Sequence, residues 1–388
     1  MAEETEEPRD VRLLRTLTLR NILSFGPDTP PLELRALNVL IGPNGSGKSN
    51  LLTGVELLKE SANNLDLGLM LGPEFLWKGA PDESATVEAI VQLPSVLMKH
   101  RLQIEEIGPV TVRVHELLTR YAAPGTPPAL WPYFESDSKG PRLKGVQVPA
   151  GRLNPDSSVL VQLRDPLQNP ELTDLAEAYD GIRLYRDWGF GNANQARLPQ
   201  RTDVRSHFPA ANGSNLGLIL NKLRRNSTLK KQLLAALNEL YEGVTDFGVD
   251  LEGGYARLYL QEGDFSIPIG RLSDGTLRYL FLLAVLIDPT PPPLICLEEP
   301  ELGLHPDAIL AVGRLIREAS ERTQLIVTTH SDVLVDVLGA DPENIIVCEK
   351  QDGQTQLNRL NSEQLKGWLE SYSLSELWTR GHLGGNRW

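Results

Sequence analysis

The 388-residue chain has only two cysteines, no excess of basic residues and no long apolar run. A pair of cysteines cannot build a disulfide framework, and Cys296 and Cys348 sit in strand-like apolar runs, LICLEE and IIVCEK, where buried free thiols are expected. No stretch approaches the roughly 18 to 20 apolar residues that cross a bilayer. The start MAEETEEPRD is acidic where a signal peptide would be basic and then apolar, so a cytoplasmic chain is expected, with no membrane partner. Lys and Arg number 38 against 51 Asp and Glu, a formal charge of −13, which disfavours coating DNA through bulk charge alone. Neither long heptads nor a repeat of fixed period occurs, which excludes long coiled-coil arms. With 41% hydrophobic residues, the chain is of ordinary globular composition and long enough for about two or three domains.

Residues 1–10 read as a solvated acidic tail. From Val11, RLLRTLTLRNILSF alternates apolar and polar positions like a half-buried strand, and LELRALNVLIG ends in a buried Val39-Leu40-Ile41 run. KSNLLTGVELLKESA is a helix with Leu51, Leu52, Val55 and Leu58 on one face. Residues 63–263 differ in texture, with frequent proline after Pro124 and short alternating runs such as ATVEAIVQL and VTVRVHELL. They read as an α+β insertion, or lid, between the two parts of a head formed by 11–62 and 264–388. The insertion carries Arg183, Arg186, Arg197, Arg201 and Arg205, and then Lys222, Arg224, Arg225, Lys230 and Lys231 around a helix. A solvated helix face and a contact to DNA or phosphate both remain open. After about residue 264, helix alternates with buried strand, the pattern of an α/β layer: LRYLFLLAVLI, PLICLEEP, HPDAILAVGRLIREASE, QLIVTTH and NIIVCEK.

Gly42-Pro43-Asn44-Gly45-Ser46-Gly47-Lys48-Ser49 matches GxxxxGK[ST], with a strand before it and a helix after it. Glycines let successive N–H groups turn inward onto phosphate oxygens, and the helix N-terminus adds positive partial charge. A nucleoside triphosphate, ATP, is the expected ligand. Asn44, Gly45, Ser46, Gly47, Lys48, Ser49 and Asn50 form its binding set, with Lys48 on the β- and γ-phosphates and Ser49 on Mg²⁺. Such a site also needs acids at a neighbouring strand end, and Leu294-Ile295-Cys296-Leu297-Glu298-Glu299 supplies them: Glu298 for the metal, Glu299 as general base. Two acids capping a surface strand are the plain alternative. Leu272-Ser273-Asp274-Gly275-Thr276 opens the apolar helix, either as a simple Ser273 cap or as a second phosphate-binding terminus. Thr328-Thr329-His330-Ser331 brings His330 to the end of a further buried strand.

In this order, Gly-rich loop, LSDGT, acidic strand end and histidine resemble the ABC-type ATPase heads of the RecF, SMC and OLD branch. The likeness covers residues 11–62 and 264–350. EEPE followed by GLHP resembles the stand-alone bacterial AAA-family ATPases, including ATPase subunits of antiphage defence systems. The resemblance implies a P-loop fold of ABC-ATPase type, a mixed sheet flanked by helices, and ATP hydrolysis in a head-to-tail homodimer or higher oligomer. Ser273, Asp274 and Gly275 of one head would meet the γ-phosphate held by Lys48 of the other. His330 would sense that phosphate and take part in catalysis with Glu299 and Lys48. Glu301, Gly303 and His305 would match the loop that crosses the dimer interface, and Gln92 is the candidate for the glutamine loop. No Toprim-like domain is present, so a separately encoded nuclease effector is implied, with DNA a possible partner of the basic insertion. Competing readings are a transporter's nucleotide-binding subunit, a RecF- or SMC-like repair ATPase, and an assembly scaffold stabilised by ATP. The tail SLSELWTRGHLGGNRW holds Trp378 and Trp388 among glycines, and indoles are costly to leave in water. It either folds back on the head or docks a partner.

Overall fold

The computed structural model describes residues 10–385 except 64–72, 80–83, 109–110, 122–131, 138, 150, 155–156, 187–188, 190, 192 and 205–206. The acidic tail up to residue 9, Arg205 and Trp388 therefore lie outside the described residues.

A six-stranded sheet carries the architecture, in the order Arg183–Tyr185, Leu294–Glu298, Gln324–Thr328, Leu37–Ile41, Ile345–Gln351 and Gln354–Arg359. The first five run parallel and the last antiparallel. Every residue of Leu37–Ile41 and Gln324–Thr328 is buried, as parallel strands covered on both faces require. Because side chains alternate across a strand, these strands feed two separate cores. Val39, Ile41, Ile295, Leu297, Leu325, Val327 and Val347 pack with the helices Asp274–Leu286, Pro306–Ser320 and Asp332–Leu338. Leu40, Leu294, Cys296, Ile326, Ile346 and Cys348 pack on the opposite face with the helices Lys48–Ser61 and Pro170–Gly181. Asp274–Leu286 is buried from Leu277 to Leu286, consistent with its apolarity on all sides.

An eight-stranded antiparallel sheet lies over the second core, in the order Leu32–Glu33, Leu14–Arg20, Ala85–Gln92, Leu97–Gly108, Thr111–Arg120, Phe134–Asp137, Gly140–Leu143 and Val146–Gln147. A third sheet joins Gln200–Arg201, Tyr255–Glu262, Val244–Glu252 and Phe265–Pro268. Residues 63–263 are thus woven into the layers of the rest. Ala85–Gln92 pairs along Leu14–Arg20, and Arg183–Tyr185 forms an edge of the central sheet. The helices Leu216–Arg224 and Ser227–Leu240 share a core with Asp274–Leu286.

The C-terminal segment folds back onto the head as far as it is described. Trp378 is 1% exposed, and its Nε1 donates to the Gly385 carbonyl at 3.0 Å. Leu374 and Leu377 are buried on the helix Leu374–Thr379, which packs against Asp332–Leu338. Gly385 donates its N–H to Glu349, and a Cβ there would stand 3.5 Å from Cα of Gly42. The tail therefore backs the glycine-rich loop. Cys296 and Cys348 are free and buried, and burial raises both thiols, Cys348 to about 12. Among the described residues, no helix is long and apolar enough to cross a membrane.

Candidate functional site

Parallel pairing in register brings several strand ends to one edge of the central sheet. Leu297 lies beside Tyr185, Glu298 beside Thr328, Thr328 beside Leu40, and Val347 beside Ile41. The residues that follow, Arg186, Glu299, Thr329, His330 and Gly42, emerge together at the carboxyl ends of the strands, where open α/β sheets bind ligands.

In the loop after Ile41, Gly42, Gly45 and Gly47 have φ of 148°, 77° and 106°, conformations that side chains rarely adopt. Gly47 caps the helix Lys48–Ser61 without a side-chain cap, leaving its first N–H groups free of one. A Cβ on Gly47 would collide with Thr355, whose Oγ1 donates to the Ser46 carbonyl at 2.8 Å and contacts Ser24 Oγ at 2.7 Å. Asn50 joins the same support by donating Nδ2 to Ser24 Oγ at 2.8 Å. Asn44 and Gly45 are exposed at the loop tip, whereas Ser46 is buried beneath it. Lys48 is 5% exposed and donates Nζ to the carbonyls of Gly42 at 2.8 Å and Pro43 at 3.0 Å. Burial pulls its pKa down, while nearby Glu299, Glu298 and Glu301 resist the shift.

Ser49 Oγ donates directly to Glu298 Oε1, so the extra methylene of glutamate brings its carboxylate to the hydroxyl that accompanies it in the motif. Glu299 adopts a left-handed conformation, φ 47°, with its N–H held by the Thr328 carbonyl at 2.9 Å. A strained non-glycine residue costs on the order of 1–3 kcal/mol and persists where neighbours fix it. Its Oε1 stands 3.2 Å from His330 Nε2. Glu301 turns inward: Oε1 accepts from Thr329 Oγ1 at 2.7 Å and from the His330 N–H at 2.8 Å, and burial raises its pKa. Thus Glu301, expected in an intersubunit loop, fastens the histidine loop of its own chain. Gly303 and His305 are exposed, and His305 caps the helix Pro306–Ser320.

Lys48, Ser49, Glu298, Glu299 and His330 therefore meet at one edge. Ser273, Asp274 and Gly275 stand at the start of the helix Asp274–Leu286, where the Asp274 carboxylate is bound by Arg197. Ser273 caps the helix Asp274–Leu286 by accepting from the Thr276 N–H at 3.1 Å, and Ser273 and Asp274 are exposed. Gln92 lies at the far end of Ala85–Gln92, where it accepts from Arg15 at 2.9 Å, so it is no part of this site.

Much of the basic stretch is tied to residues distant in sequence. Arg186 reaches Glu298 and Glu56, both at 2.8 Å. Burial lowers the Arg186 pKa, but the two carboxylates more than offset it and the net shift is upward. Arg197 is bonded to Asp274 and to the carbonyls of Gly270 and Leu272, which fixes the start of the LSDGT helix. Lys222 pairs with Asp288 and Lys230 with Asp246, and Arg183 stacks 4.9 Å from the Phe208 ring centroid, whereas Arg201 pairs only locally with Asp203 at the surface. Arg186 and Glu56 are site residues that motif reading missed. A signal was there in Arg186, which directly follows the short alternating run IRLY.

Solved structures of similar fold are SMC heads. An SMC head bound to the C-winged helix domain of ScpA matches with a TM-score of 0.57 at 16% identity, over 91% of this chain and 99% of that one. The SMC head with an extended coiled coil bound to the C-terminal domain of ScpA derived from Pyrococcus furiosus gives 0.53 at 16% identity, over 92% and 98%. No curated protein matches the chain. The family model described as "AAA domain, putative AbiEii toxin, Type IV TA system" matches residues 37–336, well over half of the sequence. The chain belongs to that AAA-domain family, with the fold of an ABC-type ATPase head of the SMC kind.

Proposed function

We propose that the protein binds and hydrolyses ATP with Mg²⁺ as a nucleotide-switched, head-to-tail dimer. The observation that carries this is the split site: loop, acids and histidine converge at one sheet edge, while Ser273 and Asp274 stand exposed at the start of the LSDGT helix. The residues present fit both groups. Three left-handed glycines and Lys48 form a cradle for a triphosphate, and the hydroxyl of Ser49 with the carboxylate of Glu298 is a hard oxygen pair suited to Mg²⁺. Ser49 and Glu298 would hold Mg²⁺, which when bound would supply positive charge against the phosphates. Lys48 would exchange its two carbonyl partners for phosphate oxygens. Glu299 would accept a proton from the attacking water, and His330, held through its backbone by Glu301, would stand beside the terminal phosphate. Ser273 and the N–H groups around Asp274 and Gly275 would close the site from a second copy.

In this reading Ser273→Arg blocks closure. The variant should stay monomeric with ATP by sedimentation velocity, and its hydrolysis should fall by about 100-fold. An ATP-dependent dimer that forms normally in Ser273→Arg would exclude the composite site.

The wider role we assign is antiphage defence in DNA-linked transactions, with a separately encoded Toprim-like nuclease as effector. The family's description, which refers to AbiEii toxins and Type IV TA systems, supports a multi-component setting. Arg186, Arg197, Arg201, Lys222 and Lys230 each have a carboxylate partner, so we assign DNA contact to Arg224, Arg225 and Lys231 on and beside the helix pair. Reversing the charge of Arg224 and Arg225 should weaken ATP-dependent DNA binding and flatten its log–log salt slope by about 2. Filter binding at two salt concentrations decides it. A wild type that binds no DNA at low salt would leave ATP gating of the effector without DNA contact.

A further inference from the structure

Arg186 occupies a place that a cation would otherwise be needed to fill. Its Nε donates to Glu298 Oε2 at 2.8 Å, Nη1 to Glu56 Oε2 at 2.8 Å and Thr53 Oγ1 at 3.2 Å, and Nη2 to the Ser49 carbonyl at 3.3 Å. Ser49 Oγ meanwhile occupies the other oxygen of Glu298. Two carboxylates and a hydroxyl within reach of one another are oxygen donors of the kind hard divalent cations select. A guanidinium is always charged, and its planar fork matches carboxylates, so it can offset one of the two negative charges of this cluster without being a metal. A metal taking Glu298 must therefore break a bond that is already made.

We propose that Arg186 is a resident counter-ion that closes the metal side of the site to free divalent cations. It yields Glu298 when the metal arrives with nucleotide, whose phosphates give the guanidinium new acceptors. This deepens the ATPase reading and rests on Glu298 being the metal-side acid. Arg186 is a positioning residue, set by the short strand Arg183–Tyr185 at the sheet edge next to Leu294–Glu298.

The test uses Mn²⁺ alone on the full-length, nucleotide-free protein, followed by electron paramagnetic resonance. Arg186→Gln should bind one Mn²⁺ per chain at least about tenfold more tightly than wild type. Arg186→Lys, which restores the charge, should return to the weak binding of wild type, and adding Glu298→Gln to Arg186→Gln should abolish the gain. Equal Mn²⁺ affinity in wild type and Arg186→Gln overturns the proposal, as does a gain that survives Glu298→Gln. Circular dichroism establishes that each variant is folded. Should Arg186→Gln not fold, the wild type decides: Mn²⁺ must bind far more tightly with ADP present than without, and equal affinities refute the idea. These readouts need no turnover, so a protein that binds ATP but never hydrolyses it would defeat the ATPase reading and leave this one standing.

Discussion

Glu299→Gln is expected to lower ATP turnover by about 10² to 10⁴-fold, the usual contribution of a positioned general base, while nucleotide still binds. The amide keeps the shape of the carboxylate and retains an oxygen facing His330 Nε2, 3.2 Å away, but it cannot take a proton from water. The backbone does not depend on the charge. The left-handed conformation of Glu299 is held by its N–H bond to the Thr328 carbonyl, which the substitution leaves in place. ATP should then hold two heads together without being consumed, so the variant should sediment as a dimer with ATP where wild type cycles back to monomer. Phosphate release under single-turnover conditions separates chemistry from product release. Hydrolysis at the wild-type rate would remove Glu299 from the role of base and point to His330 or a solvent relay instead.

What could be read from the sequence follows how local each feature is. The loop from Gly42 to Ser49 was legible because its glycines answer a local backbone requirement, three positive φ angles in six residues. The strand ends Glu298, Glu299 and His330 were legible because a buried apolar run has a predictable exit, and parallel register does the rest. The fold of the head followed from the alternation of helix and buried strand, and structures of SMC heads share it.

What was hidden depends on partners far away in the chain. Arg186 and Glu298 are separated by 112 positions, and nothing near either residue announces the other. The same holds for Arg197 with Asp274 and Lys222 with Asp288, so a stretch that reads as a basic surface is partly an internal set of ion pairs. Glu301 reads as one more acid in EEPELGLHP, and only the folded strand ends turn it toward Thr329 and His330. Gln92 failed as the glutamine-loop candidate for a directional reason. The strand Ala85–Gln92 runs antiparallel to Leu14–Arg20, which places Gln92 beside Leu13 and Leu14 rather than beside Asn21 and Ser24, near the glycine-rich loop. The formal charge of −13 likewise says little about where charge is unbalanced, because two acids beside the glycine-rich loop, Glu56 and Glu298, share an arginine from the middle of the chain.

Lys48→Met should abolish nucleotide binding, at least about 100-fold, without lowering thermal stability. The ammonium is the only lysine charge in direct contact with the loop carbonyls of Gly42 and Pro43 among the described residues, and Glu298, Glu299 and Glu301 surround it. Without it, a triphosphate would enter a site whose side-chain charge is carboxylate, opposed by Arg186 alone. Stability should respond in the other direction. Burial depresses the Lys48 pKa in the folded chain below its ordinary 10.5, so the folded state pays a cost for the charge that is fully present below the folded pKa. Between the folded value and 10.5 the unfolded chain binds more protons, and stability rises with pH as that cost is relieved. Methionine keeps most of the methylene packing and removes the buried charge, which offsets the two lost hydrogen bonds to carbonyls. The melting temperature of Lys48→Met at neutral pH should therefore be equal to or above that of nucleotide-free wild type, and the gap should narrow as pH approaches 10.5. Calorimetry with and without ATP, beside a fluorescent-nucleotide titration, reads both effects. A variant that melts well below wild type yet binds nucleotide normally would make Lys48 a structural clamp on the loop and not the residue that receives the phosphates.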